Sequence, residues 1–185
     1  MPTEWTVRAI TRATVPVLVV LALVELGSGL VLDSFQATLL RYPSLLVLVP
    51  VTIGTAGNLG SVLAARLSTA FHLGRLSFSP ADETLAGNAL ATVGLSLTMF
   101  PAVGAGAWLL SELLSGTALS LVTVLVVATA SGAVLAVLAV LVTVVATYAA
   151  YRFSLDPDDV VIPVVTNVCD VLGVLVLFAV VRVVV

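Results

Sequence analysis

Lysine is absent from this 185-residue chain, and charge of either sign is scarce: 9% of residues are charged, and all 7 basic residues are arginine. With 10 acidic residues the net charge is −3 and the isoelectric point about 4.8, a balance that argues against nucleic-acid binding. The single cysteine, Cys169, rules out an internal disulfide and leaves no set of thiolates for a metal centre. The single histidine, His72, has no second imidazole at ligand spacing and reads as an interfacial side chain. No Ser/His pair falls at one depth of the apolar segments, no cofactor loop is present, and a second catalytic aspartate is missing at the depth of Asp170. The chain is therefore expected not to be an enzyme.

What remains is apolar. Hydrophobic residues make up 61% of the chain and the mean hydropathy is +1.26, whereas soluble domains carry about 25% charged residues. This composition predicts an all-α integral membrane protein. Five apolar runs, over 13–32, 42–65, 85–113, 118–151 and 158–185, each reach the roughly 20 residues that cross about 30 Å of hydrocarbon. The first is too long for the 7–15-residue apolar region typical of a cleaved leader, so it reads as a span. Residues 1–185 are expected to form a single five-helix domain with no soluble part. With the N-terminus cytoplasmic, Arg8, Arg12, Arg66, Arg75 and Arg152 lie inside and Arg41 and Arg182 outside, the bias of the positive-inside rule. Five spans then put the C-terminus outside the cell membrane. The Trp5 and Tyr42 rings suit anchoring at the membrane–water interface.

Against that background Asp170 stands out. It sits at the centre of an uncharged stretch over 160–181, where a carboxylate costs roughly 2.5–3.5 kcal/mol on insertion scales and marks an ion or proton path. At about 100° per residue, Pro163, Thr166, Asn167, Asp170 and Gly173 share one helix face, a polar and small-residue stripe with the look of a cation site. The second segment carries Pro50, Gly54, Gly57, Asn58 and Gly60, which predict a helix kinked or broken near Gly54–Gly60. Opened backbone there would present carbonyls to a water-filled cavity, with the Asn58 amide at the same depth; close packing through small residues is the alternative.

Other polar residues in the spans are less specific. Glu25, near Gly27 and Gly29, is a second intramembrane carboxylate that reads as a cation ligand, a proton-coupling group or a protonated packing residue. Asn88 either faces the cavity of Asn58 or makes a helix–helix hydrogen bond. Thr129, Ser131 and Gly132 read as packing residues, with the hydroxyls bonding their own helix. Asp156 and Pro157 read as the start of the last helix, with Asp158 and Asp159 facing its positive end.

Three ordered blocks carry a resemblance to a known family. Pro50 followed by Gly54-Thr55-Ala56-Gly57-Asn58 and Leu63-Ala64-Ala65-Arg66-Leu67-Ser68-Thr69-Ala70 resembles the MgtE magnesium channels, and more closely their animal solute-carrier relatives. Gly87-Asn88-Ala89-Leu90 and Asp156-Pro157-Asp158-Asp159-Val160-Val161-Ile162-Pro163, followed by Asp170, are similar to two further blocks. The resemblance implies five-helix units that work in pairs with an ion path between them. It implies a role for Asp170 at a site for hydrated Mg²⁺, with Asn58 matching the asparagine of the second-helix block. Ala56 and Cys169 stand where the family often has glycine, and the soluble magnesium-sensing region of the bacterial channels has no counterpart in these 185 residues.

The expected function is transport of divalent cations, Mg²⁺ foremost with Mn²⁺ or Co²⁺ as further candidates. The expected metal-site residues are Asp170, Thr166, Asn167, Asn58, Asn88 and Glu25. Mg²⁺ dehydrates reluctantly and is held by one or two carboxylates with several waters retained, so two copies of Asp170 across a dimer axis would suffice. Pro163 adds the Asp159 carbonyl, which loses its helical partner. A homodimer is expected, with a heterodimer of related half-transporters, a Na⁺- or H⁺-coupled exporter and a non-conducting scaffold subunit as the other readings. Membrane lipid is the remaining expected partner.

Overall fold

The computed structural model describes residues 6–79, 81–114, 116 and 118–185; Trp5 and the Asp158 side chain lie outside the described residues. The elements run α1 (Val7–Ser34), α2 (Gln36–Arg41), α3 (Pro43–His72), α4 (Glu83–Leu114), α5 (Leu121–Arg152) and α6 (Pro157–Val184). All but α2 are long and apolar enough to cross a membrane. In hydrocarbon every backbone N–H and C=O must be satisfied within the segment, which leaves helix as the solution for these Val- and Leu-rich runs. Their lengths of 28 to 32 residues correspond to about 42–48 Å, so their ends reach well beyond the apolar layer.

The helix ends are chemically marked. Thr6 caps α1 by accepting from the Ala9 N–H, and Ser120 caps α5 by accepting from the Thr123 N–H. Helix α6 begins at Pro157, the first-turn position where a missing donor costs nothing. At the end of α3, Gly74 takes φ +65° while its N–H bonds the Phe71 carbonyl and the Arg75 N–H bonds that of Ala70. This pair of reversed bonds closes α3 seven residues beyond the expected boundary at 65. The short α2 was not expected; it lies between two spans, and Arg41 sits over the Tyr42 ring at 5.3 Å.

Helices α3, α4, α5 and α6 pack on one another, with the most extensive contact between α3 and α6. Helix α1 touches α6 and α2 alone and has no buried residue. Three apolar clusters stack along the bundle. The first is built on Leu45, Leu48, Val127, Leu177 and Phe178, the second on Ala56, Phe100, Leu135 and Val165, and the third on Leu63, Leu67 and Leu76. Phe35 and Arg182 cover one end, where Phe35 stacks on Phe178 at 3.9 Å. Phe71, Phe78, Tyr148 and Tyr151 cluster at the other.

Helix α3 is helical without interruption across Gly54–Gly60, so the expected break is absent. The physical reason lies in what the glycines face. A Cβ on Gly60 would come within 2.8 Å of both Cys169 Sγ and Val165 Cγ1, and one on Gly173 within 3.2 Å of Ile53 Cα. These small residues let two helices approach closely, and that packing rewards an intact helix. The same device joins α4 to α5, where Gly132 accommodates the Phe100 ring and its carbonyl accepts from Ser96 Oγ at 2.7 Å. Gly132 thus packs as expected, but the Ser131 hydroxyl does not bond its own helix: it is buried without a hydrogen-bond partner.

Gly132→Val should destabilise the fold by about 1–3 kcal/mol, because Phe100 occupies the space a side chain would need. A lowered thermal unfolding midpoint in detergent checks this.

Candidate cation site

Asp170 lies at the midpoint of α6 and Gly57 at the midpoint of α3. The missing side chain of Gly57 is the seat of the carboxylate: a Cβ there would collide with Asp170 Oδ1 and come 3.2 Å from its Cγ and 3.3 Å from Thr166 Cγ2. Asp170 Oδ1 is buried and has no hydrogen-bond partner. An unpartnered carboxylate oxygen in low dielectric is expensive, and a cation or its water is the chemistry that removes the cost. Thr166, one turn earlier, donates its hydroxyl to the Ile162 carbonyl at 2.9 Å, which leaves the hydroxyl oxygen free to accept or ligate.

Asn167 turns toward α1. Its Nδ2 donates to the Leu21 carbonyl at 3.3 Å, while its Oδ1 is buried and unpartnered. Between α1 and α6 lies a groove of about 470 Å³, lined by Leu18, Leu21, Ala22, Glu25, Ile162, Pro163, Thr166 and Asn167. Glu25 is exposed on α1 and lines this groove together with Asn167. Thr166 and Asn167 thus share a groove with Glu25 on one side of α6, while Asp170 and Thr166 meet Gly57 on the other.

Two of the expected residues sit elsewhere. Asn58 follows Gly57 but points from the exposed face of α3; its carbonyl accepts from Ser61 Oγ at 3.1 Å. Asn88 lies in a different cavity, where its Oδ1 accepts from Arg66 Nε at 2.5 Å and its Nδ2 donates to the Thr84 carbonyl at 2.8 Å. Of the two expectations for Asn88, the helix–helix hydrogen bond is the one seen. His72 Nδ1 lies 2.9 Å from the Ser68 carbonyl, at the end of α3. Among the described residues no group of three or more His, Cys, Asp and Glu side chains is placed to hold a bare metal ion.

Two contributors escaped the sequence. Gly57 was read as part of a kinked or broken helix with close packing as the alternative, and neither reading made it the seat of Asp170. The Leu21 carbonyl carries no side-chain signature at all.

A Gly57→Ala substitution should force α3 and α6 apart and speed maleimide labelling of Cys169, 2% exposed in the native chain, by roughly tenfold. Gly94→Ala, with nothing within 4 Å of the added Cβ, should label at the native rate.

The sequence model of one protein family, described as MgtE: Divalent cation transporter, matches residues 49–180. This stretch includes Gly57, Asn88 and Asp170, and leaves Glu25 and the whole of α1 outside it. No curated protein matches the chain.

Proposed function

From the premise that the chain belongs to the MgtE family of divalent cation transporters, we propose that it moves hydrated Mg²⁺ through a path centred on Asp170. The family is one of transporters, not of enzymes. The observation that carries the reading is the buried, unpartnered Oδ1 of Asp170 pressed against Gly57 at mid-helix. Mg²⁺ binds through one or two carboxylates and otherwise through its own waters, so a single Asp170 per chain is the right donor for half a site.

The other half is a second copy of the chain. Helix α1 has no buried residue, and Leu23, Leu26 and Leu30 on it are 64%, 67% and 74% exposed. The exposed face of α3 adds Gly54, Asn58 and Ser61 beside the Gly57 seam. In a homodimer two Asp170 carboxylates face one hydrated ion, with the Thr166 hydroxyl oxygen, Asn167 Oδ1 and the Asn58 amide oxygen as acceptors for its water shell. Selection then rests on the size and charge of the hydrated ion. Mn²⁺ and Co²⁺, with similar oxygen chemistry, are secondary cargo. The N-terminus lies in the cytoplasm of a cell-membrane protein, as the arginine distribution favours.

A coupled-exporter reading is favoured by one specific feature, the Glu25 carboxylate in the groove beside Asn167. In this reading Glu25 carries the coupling Na⁺ or H⁺ from the groove it lines with Thr166 and Asn167.

Mg²⁺ flux into proteoliposomes containing a magnesium-sensitive dye tests both readings. Asp170→Asn should abolish flux, a loss of at least tenfold expected from removing a charged ligand of a buried cation. Glu25→Gln should leave passive flux but remove any dependence on a Na⁺ or pH gradient. Undiminished flux in folded Asp170→Asn protein would refute the assignment.

A further inference from the structure

A second polar cavity, of about 430 Å³, opens between the end of α3 and the start of α4 and is lined by Ala65, Arg66, Thr69, Ala70, Leu73, Arg75, Thr84 and Asn88. Two guanidinium groups from separate segments converge on it. Arg66 is held through its side chain and Arg75 at its backbone. Arg66 is gripped through Nε by Asn88 Oδ1 at 2.5 Å, and Asn88 is itself oriented by the Thr84 carbonyl. The grip uses Nε and leaves the two terminal nitrogens of Arg66 to donate elsewhere. Arg75 follows Gly74 in the reversed turn that ends α3, with its backbone N–H on the Ala70 carbonyl at 2.8 Å.

The nearby carboxylate that would neutralise this pair is committed elsewhere. Asp82 Oδ2 accepts from the Ser77 N–H at 2.6 Å and from Ser77 Oγ at 2.9 Å. Its Oδ1 accepts from the Thr84 and Leu85 N–H groups at 2.9 and 3.0 Å, which caps α4. The Ser77 and Leu85 N–H bonds hold its carboxyl below the ordinary 3.8. This loop clasp is therefore intact near neutral pH and is lost only as pH falls through that depressed value. Arg66 pairs with a neutral amide, and the cavity lining holds two arginines and no carboxylate.

The depth of the cavity identifies the ligand. Arg66 lies six residues before the end of α3, about 9 Å along the helix, where the span leaves the hydrocarbon. Leu73, in the cavity lining, is 65% exposed, so acyl chains have apolar surface beside the charged cavity. Paired guanidinium groups with hydroxyl and amide neighbours match a phosphate, which accepts bidentate arginine bonds. We infer that this cavity binds the phosphate headgroup of an anionic phospholipid, with Arg66 and Arg75 as its ligands, Thr84 as a hydroxyl donor and Asn88 as the residue that positions Arg66. This lipid site is independent of the cation path and stands or falls without it.

Native mass spectrometry of the full chain released from mixed micelles of equimolar phosphatidylglycerol and phosphatidylcholine tests the inference. The native chain should retain phosphatidylglycerol in preference by roughly tenfold, and Arg66→Gln with Arg75→Gln should bring the ratio near one. Should the double variant fail to fold, Arg75→Gln alone keeps the Arg66–Asn88 bond and should lose most of the preference. Equal retention of both lipids by the native chain, or an undiminished preference in the folded variants, overturns the site. A third arm adds inorganic phosphate: displacement of the lipid by millimolar phosphate would reassign the cavity to a soluble anion, and lipid retention at that concentration is the expected result.

Discussion

A carboxylate in the middle of a membrane helix is tolerable only where the surroundings make room for it and something offsets its charge. In this chain the room is made by the absence of one atom group, the side chain of Gly57, and the rest of the bundle is arranged around that close approach. Gly60 and Gly173 extend the same contact above and below it, so α3 and α6 meet along a seam of small residues with Asp170 set into its centre. Lipid tails are as apolar as leucine, so close packing, not hydrophobic segregation, holds such a seam together. The geometry that admits the charge is therefore also what binds the two helices.

This arrangement explains the asymmetry of the fold. Helices α4 and α5 back the seam with buried apolar layers around Phe100, Leu135 and Val127, and they carry little polar chemistry of their own. Helix α1 stands at the other side, resting on α6 with no residue buried and with Glu25 turned into the shared groove. Asp170 faces α3 and Asn167 faces α1, so α6 carries two polar contacts on adjoining faces of one turn. A second copy against α1 and the exposed face of α3 completes the site in the proposed dimer, while the arginine cavity at the end of α3 fastens the bundle to the headgroup layer.

Much of this was legible in the sequence. Five apolar runs gave the five spanning helices, because hydropathy and length are additive properties of a segment and need no knowledge of its neighbours. Asp170 was visible for the same reason: one charge in a long uncharged stretch is a local fact. The glycines of α3 left two readings open, a kink or break and close packing, since Gly and Pro report reduced helix propensity in isolation, whereas Gly57 and Gly60 are paired with residues far along the chain whose proximity no local rule supplies. Asn88 shows the same limit. Its residue type predicted a hydrogen bond, and only the fold reveals that the partner is Arg66. The extension of α3 to His72 was hidden because Arg66 looked like a membrane boundary, although a helix continues past the hydrocarbon until a turn such as that at Gly74 stops it.

The most direct test of the central claim is to locate the ion. Crystals of the protein grown with Mn²⁺ and measured at the manganese absorption edge should show an anomalous peak within hydrated-contact distance of Asp170, shared between the two Asp170 residues of a dimer, and that peak should vanish in Asp170→Asn. A peak confined to another part of the bundle, with Asp170 unoccupied and the Gly57 seam intact, would contradict the account.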